Sequence, residues 1–144
     1  MSVMSMASFS DAHECEEIPI IAANLHRVIH PAQSQIWAVI RQDDSLKRIA
    51  YSISNTFLGR MCISGDVTQL APEKWNLIEQ GISFYGKIKD IIKEGQSYRY
   101  GPKIKSARHP EGWQALLRVG KNKQAYVVIH VFGGELPEVI EIEL

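Results

Sequence analysis

The densest group of residues able to do chemistry is Ser10-Asp11-Ala12-His13-Glu14-Cys15. Two carboxylates, an imidazole and a thiol lie within five positions. A carboxylate there could serve as a general acid, and His13 could tune it or hold a substrate hydroxyl. The group immediately precedes a helical pattern. In α/β folds the loops after parallel strands carry ligands and catalysis. The alternative use of the same residues is local: Asp11 or His13 caps the helix, while Glu14 and Glu16 favour the positive end of its dipole. Asp66, in Gly65-Asp66, repeats the placement after a second strand pattern. Two carboxylates on one rim are a sugar-site arrangement.

Other chemistries find less support. The five histidines, His13, His26, His30, His109 and His130, form no HExxH and no Cys/His zinc spacing. His26 and His30 are four apart on a helix and could share a metal, but no carboxylate motif accompanies them. A solvent-facing or capping role is the competing use. The expectation is no metal and no cofactor. Cys15 and Cys62 form no CxxC pair and are too few for a disulfide framework. A nucleophilic cysteine has only His13 and Arg60 as neighbours to activate it. GxSxG, GxGxxG and P-loop motifs are absent.

The elements that must position these residues follow from periodicity. Ile18, Ile21, Leu25 and Val28 predict a helix within 14–30, regular from about Glu17 because Pro19 fits only a first turn. Ser34 to Arg41 reads as a buried strand. Asp44 is the expected N-cap of a helix over 45–57. Arg60 to Ser64 reads as a second strand. Trp75, Ile78, Ile82, Tyr85, Ile88 and Ile92 form a helical stripe between Pro72 and Gly95. Strands alternating with helices imply parallel pairing through crossovers. After Gly95 the pattern becomes antiparallel. Tyr98 to Tyr100, Gln114 to Val119, Ala125 to Phe132 and Val139 to Leu144 read as strands, with a turn at 120–123.

Composition bounds the function. The 144 residues carry sixteen Lys+Arg and sixteen Asp+Glu, with no net charge. That argues against binding nucleic acid through a basic surplus. No apolar run reaches the ~20 residues of a membrane span. Residues 1–10 lack the layout of a signal peptide. A cytoplasmic protein with reduced thiols is expected.

Several segments together resemble the C-terminal part of bacterial α-galactosidases of the melibiase type, glycoside hydrolase family thirty-six and its relatives. They are Ser8-Phe9-Ser10-Asp11-Ala12-His13-Glu14, Glu17 to Asn24, Gln33 to Ala38, and Phe57 to Asp66. The resemblance implies an α/β fold: the last strands and helices of a (β/α)8 TIM barrel over 1–95. A C-terminal antiparallel β-sandwich-type unit over 96–144 would follow. Asp11 would follow the sixth barrel strand, with the seventh at Ser34 to Ile40 and the eighth at Arg60 to Ser64.

The resemblance also implies chemistry. The family uses a retaining mechanism with two carboxylates about 5–5.5 Å apart. Its acid/base lies in a Ser-Asp step matched by Ser10-Asp11. The family form continues Asn-Thr-Asp where this chain has Ala12-His13-Glu14, which makes Glu14 the rival. His13 and Asp66 would contact substrate. No residue matches the family's nucleophile, which lies after the fourth strand. The expectation is therefore a fragment acting on terminal α-galactosides, inactive alone, whose apolar strand residues Ile36, Val39 and Ile63 meet either the missing N-terminal barrel portion or a second copy. The alternative is a non-catalytic carbohydrate-binding or structural subunit. Trp113, Tyr98 and Tyr100 would then stack on sugars, or else pack in the core or against the helix of Trp75.

Overall fold

A computed structural model describes residues 5–8, 14–121 and 123–142. The first half alternates strands and helices: β1 (Ala7–Ser8), α1 (Glu17–Leu25), β2 (Ser34–Ile40), α2 (Leu46–Thr56), β3 (Arg60–Gly65) and α3 (Pro72–Glu94). The second half is β4 (Gln96–Tyr100), β5 (Gly112–Val119) and β6 (Ala125–Gly133).

The first three strands form a parallel sheet in the order β1-β2-β3. Ala7 faces Ser34, and Gln35 to Ile40 face Arg60 to Gly65. Helical crossovers make this pairing possible, as the alternation predicts. Ser34, Ile36, Ala38 and Ile40 point to one face of β2 and are buried. Ile36 joins a core with Ile18 and Ala22 of α1, Leu58, and Ile88 and Ile92 of α3. Ile40 joins a second core with Ile49 and Ile53 of α2, Leu70 and Ile78.

The helices begin and end for identifiable reasons. Pro72 occupies the first turn of α3, where its missing N–H costs nothing. Gly95 follows its last turn and donates to the Ile91 carbonyl at 2.8 Å. The buried side of α3 is Ile78, Gly81, Ile88, Ile91 and Ile92. Trp75 and Ile82, expected on that side, are exposed. The α2–α3 contact is centred at Gly81, where an added Cβ would overlap the Ile53 side chain. That contact rotates the helix so that Ile82 faces outward. Helix α2 is capped by Ser45, whose hydroxyl accepts from the Arg48 N–H at 3.2 Å. Asp44, the expected cap, instead accepts from the Arg41 N–H at 2.8 Å and pairs with Arg48 at 3.1 Å.

Strands β4, β5 and β6 form an antiparallel sheet. Leu116, Tyr126 and Val128 from its inner face enter the same core as Ile36 and Ile88. A sandwich needs a second sheet over the outer face, and among the described residues this sheet has none. The expected strand at Val139 to Leu144 does not form over residues 139–142; residues 143–144 lie outside the described residues.

Candidate functional site

The rim formed by the C-terminal ends of β2 and β3 is set by two backbone features. Gly65 ends β3 at φ 102° and lies so close to the Ile40 carbonyl that no Cβ would fit. The next N–H, that of Asp66, donates to the same carbonyl at 2.9 Å. Asp66 is thereby fixed at the strand end with an exposed carboxylate that caps nothing. Glu14 is 65% exposed and stands 3.9 Å from Arg48. Arg48 is held more closely by the buried Asp44, so Glu14 is the outer member of a three-residue charge group. Asp11 and His13, with Ser10, lie outside the described residues. No hydrogen bond or ion pair joins Glu14 to Asp66 among the described residues.

Cys15 is partly buried beside this group. Its carbonyl accepts from the Asn55 amide at 2.8 Å. Burial pushes its thiol up, against the opposing charge of Arg48. A thiol so placed stays protonated at neutral pH and is a poor nucleophile.

Among the described residues no element packs on the face of the parallel sheet opposite the helices. Strand alternation puts Gln35, Trp37 and Val39 there, beside Cys62 and Ser64 of β3 and Ser8 of β1. The Trp37 indole N–H donates to the Ser8 hydroxyl at 2.7 Å, which ties the face together. Val39 is 47% exposed. Of the apolar residues expected to meet a partner, only Val39 lies on this face. Ile36 is buried under the helices, and Ile63 packs against the second core. Trp37 is the lining residue that a search for catalytic types passes over; its signal is the period-two pattern Gln35-Trp37-Val39.

A second polar group is buried where the two sheets meet. Arg118 is fully buried and donates to the Ser97 hydroxyl at 3.0 Å and the Leu58 carbonyl at 3.3 Å. It lies 3.4 Å from His26 Nδ1. Burial, reinforced by the Arg118 charge, pulls His26 down to about 3. Burial also lowers Arg118 itself. The Tyr126 hydroxyl donates to the Phe57 carbonyl at 2.7 Å, and burial raises it to about 12. Gln114 donates to the Pro19 carbonyl at 3.0 Å. His130 packs edge-on to Tyr51 and is lowered to about 4 by burial. Arg118, Tyr126 and Gln114 satisfy carbonyls of the helical layer and tie the antiparallel sheet to it.

His26 and His30 do not share a metal geometry. His26 meets Arg118, while His30 accepts from the Ala32 N–H at 3.2 Å and caps the turn at Pro31–Gln33. No group of three or more potential ligands could hold a metal ion among the described residues. No helix among the described residues is long and apolar enough to cross a membrane. Tyr98, Tyr100 and Trp113 project from the outer face of the antiparallel sheet, away from the helices.

No family model and no curated protein matches the sequence. Solved structures do match the fold. The galactosidase domain of alpha-galactosidase-sucrose kinase, AgaSK, superposes with a TM-score of 0.65 over 83% of this chain, at 17% identity. A variant of the GH36 alpha-galactosidase AgaA from Geobacillus stearothermophilus, in complex with raffinose, gives 0.62 at 18% identity. Another AgaA structure, with 1-deoxygalactonojirimycin, gives 0.64 at 18% identity. In each case the chain spans 17% of the matched structure's length. The chain thus has the fold of one portion of the GH36 alpha-galactosidases.

Proposed function

We propose that this chain supplies the last three β/α units of a GH36-type catalytic barrel, and with them the acid/base side of an α-galactosidase site. The observation that carries the reading is the parallel sheet. Its three strands follow in chain order, with helices on one face and a mixed polar face that no described element covers. Parallel sheets are covered on both faces, and closure into a barrel is one way to cover the second.

In this reading Asp11 protonates the departing glycosidic oxygen and later activates water; Glu14 is its rival. His13 and Asp66 hold sugar hydroxyls. The exposed, uncapped Asp66 carboxylate supports that role. A retaining reaction also needs a nucleophilic carboxylate on the other side of the anomeric carbon. No residue of this chain matches it. The partner would be the preceding barrel units, and the substrates terminal α-galactosides.

Mixing the chain with a polypeptide carrying the earlier β/α units and the nucleophile tests the assignment. Hydrolysis of an aryl α-galactoside should appear only in the mixture and be lost with Asp11→Ala. Retained activity in Asp11→Ala together with loss in Glu14→Gln would transfer the acid/base role to Glu14. A mixture that associates and yet stays inactive would contradict the proposal.

The carbohydrate-binding alternative rests on Tyr98, which is 42% exposed. Tyr100 and Trp113 share that face but are only partly exposed, and its other exposed apolar side chains are the aliphatic Val127, Ile129 and Val131. Branched aliphatics suit packing against another layer better than stacking on sugar rings.

A further inference from the structure

A pocket of ≈390 Å³ lies away from the rim just described, between α1 and the segment that leaves β4. Ile20, Asn24 and Arg27 form one wall; Arg99 and the segment Gly101 to Ile104 form the other. Three of its lining residues, Arg27, Arg99 and Lys103, are cationic, and no carboxylate lines it. Among the described residues none of the three is ion-paired. The chain as a whole carries no net charge, so this local surplus is not a general property of the surface.

The pocket is built into the fold. Arg99 lies on the inward side of β4 and donates to the Asn24 side-chain oxygen at 3.1 Å. Gly101, at φ 121°, lets the chain run close enough to β5 that a Cβ would lie 2.5 Å from the Trp113 carbonyl oxygen. Pro102 then fixes the turn that forms the far wall. Burial, with the like charge of Arg27 added, lowers the Arg99 guanidinium. Two arginines are therefore held near each other without a counter-charge, an arrangement that an anion would relieve.

We propose that this pocket binds a dianionic phosphate group, with Arg27, Arg99 and Lys103 as its cationic contacts. Planar guanidinium forks match phosphate oxygens in paired hydrogen bonds, and lysine adds a point charge. The volume exceeds what a phosphate ion fills. Ile20, Pro102 and Ile104 offer an apolar surface to the remainder of a phosphate monoester. The inference is independent of the α-galactosidase reading.

Calorimetric titration of the full chain with inorganic phosphate and with a hexose 6-phosphate tests it, with sodium chloride at matched ionic strength as control. Saturable binding of at least one probe is expected. Tighter binding of the ester identifies an organic phosphate; equal binding identifies the phosphate group alone. Arg27→Gln and Lys103→Gln should each weaken binding about tenfold, the usual loss of a charged hydrogen bond. Both change exposed side chains, so they keep the test valid should Arg99→Gln disturb the Asn24 contact. Lys121→Gln, outside the pocket, should leave affinity unchanged. Failure of both probes to bind, the same heats from sodium chloride, or unchanged affinity in both variants would overturn the proposal.

Discussion

Among the described residues the helices pack on one face of each sheet, and the opposite faces differ. The open face of β1–β3 mixes Ser8, Gln35, Trp37, Val39, Cys62 and Ser64. The outer face of β4–β6 exposes Val127, Ile129, Val131 and Tyr98, with Tyr100 and Trp113 partly exposed and Ala115 and Leu117 buried. A polar-lined strand face is what a ligand cavity needs, whereas a continuous aliphatic face is what another protein layer needs. An antiparallel sheet can leave one face to water, but a parallel one seldom does. The proposed reading accordingly assigns the chemistry to the first sheet and packing to the second, although both share one core.

The largest expected effect falls on the hinge of the first sheet. Gly65→Val puts a branched side chain at positive φ against the Ile40 carbonyl. It should cost roughly 3 kcal/mol or more, read as a lowered denaturant midpoint. A near-normal midpoint would show that the β2–β3 end is not fixed as described.

Leu116→Ala tests whether the sheets are one cooperative unit. Leu116 belongs to β5 but packs with Ile36 of β2. Its truncation should cost about 3 kcal/mol. Trp37 and Trp113 fluorescence should then report a single, shifted transition. Two separate transitions would divide the molecule at the sheet boundary.

Acid sharpens the same point through the groups buried between the sheets. His26 and His130 are held near 3 and 4 in the folded state, below the ordinary 6.5. Above pH 6.5 they are neutral in both states and add no pH dependence. Below it the unfolded chain takes up the protons first, so stability falls as pH drops from about 6.5 to 4 for His130 and on to about 3 for His26. Each histidine contributes a slope of up to about 1.4 kcal/mol per pH unit. His130→Phe should reduce that slope and raise neutral-pH stability by about 1 kcal/mol, because both ring nitrogens lack partners. An unchanged acid slope would place His130 in a wetter setting than the structure gives.

The smallest stability effect is expected on the outer aliphatic face. Ile129→Thr with Val131→Thr should change stability by less than about 1 kcal/mol. The same pair should reduce self-association seen by light scattering. Unchanged association would mean that this face is not what draws copies together.

Much of the fold can be read directly. Pro72 and Gly95 bracket α3 in sequence as in structure, because both act locally through φ and a missing N–H. Facing is harder. Ile36 and Val39 both look like candidates for a partner surface, yet a spacing of three puts them on opposite sides of a strand. Only the helices, brought in by distant segments, decide which side is core. Arg118 gives no sequence signal of its burial, because its partners come from Leu58 and Ser97. The candidate acid Asp11 is legible through family resemblance and lies outside the described residues. Asp66 is legible by position, since a carboxylate after a strand-ending glycine is a local pattern.

The most direct test of the central claim is an assay of the purified 144-residue chain, alone, on an aryl α-galactoside. The account predicts no turnover above the blank, with Asp11→Ala indistinguishable from the parent, because one carboxylate cannot complete a double displacement. Turnover by the isolated chain that Asp11→Ala abolishes would contradict it and would require a nucleophile among these residues.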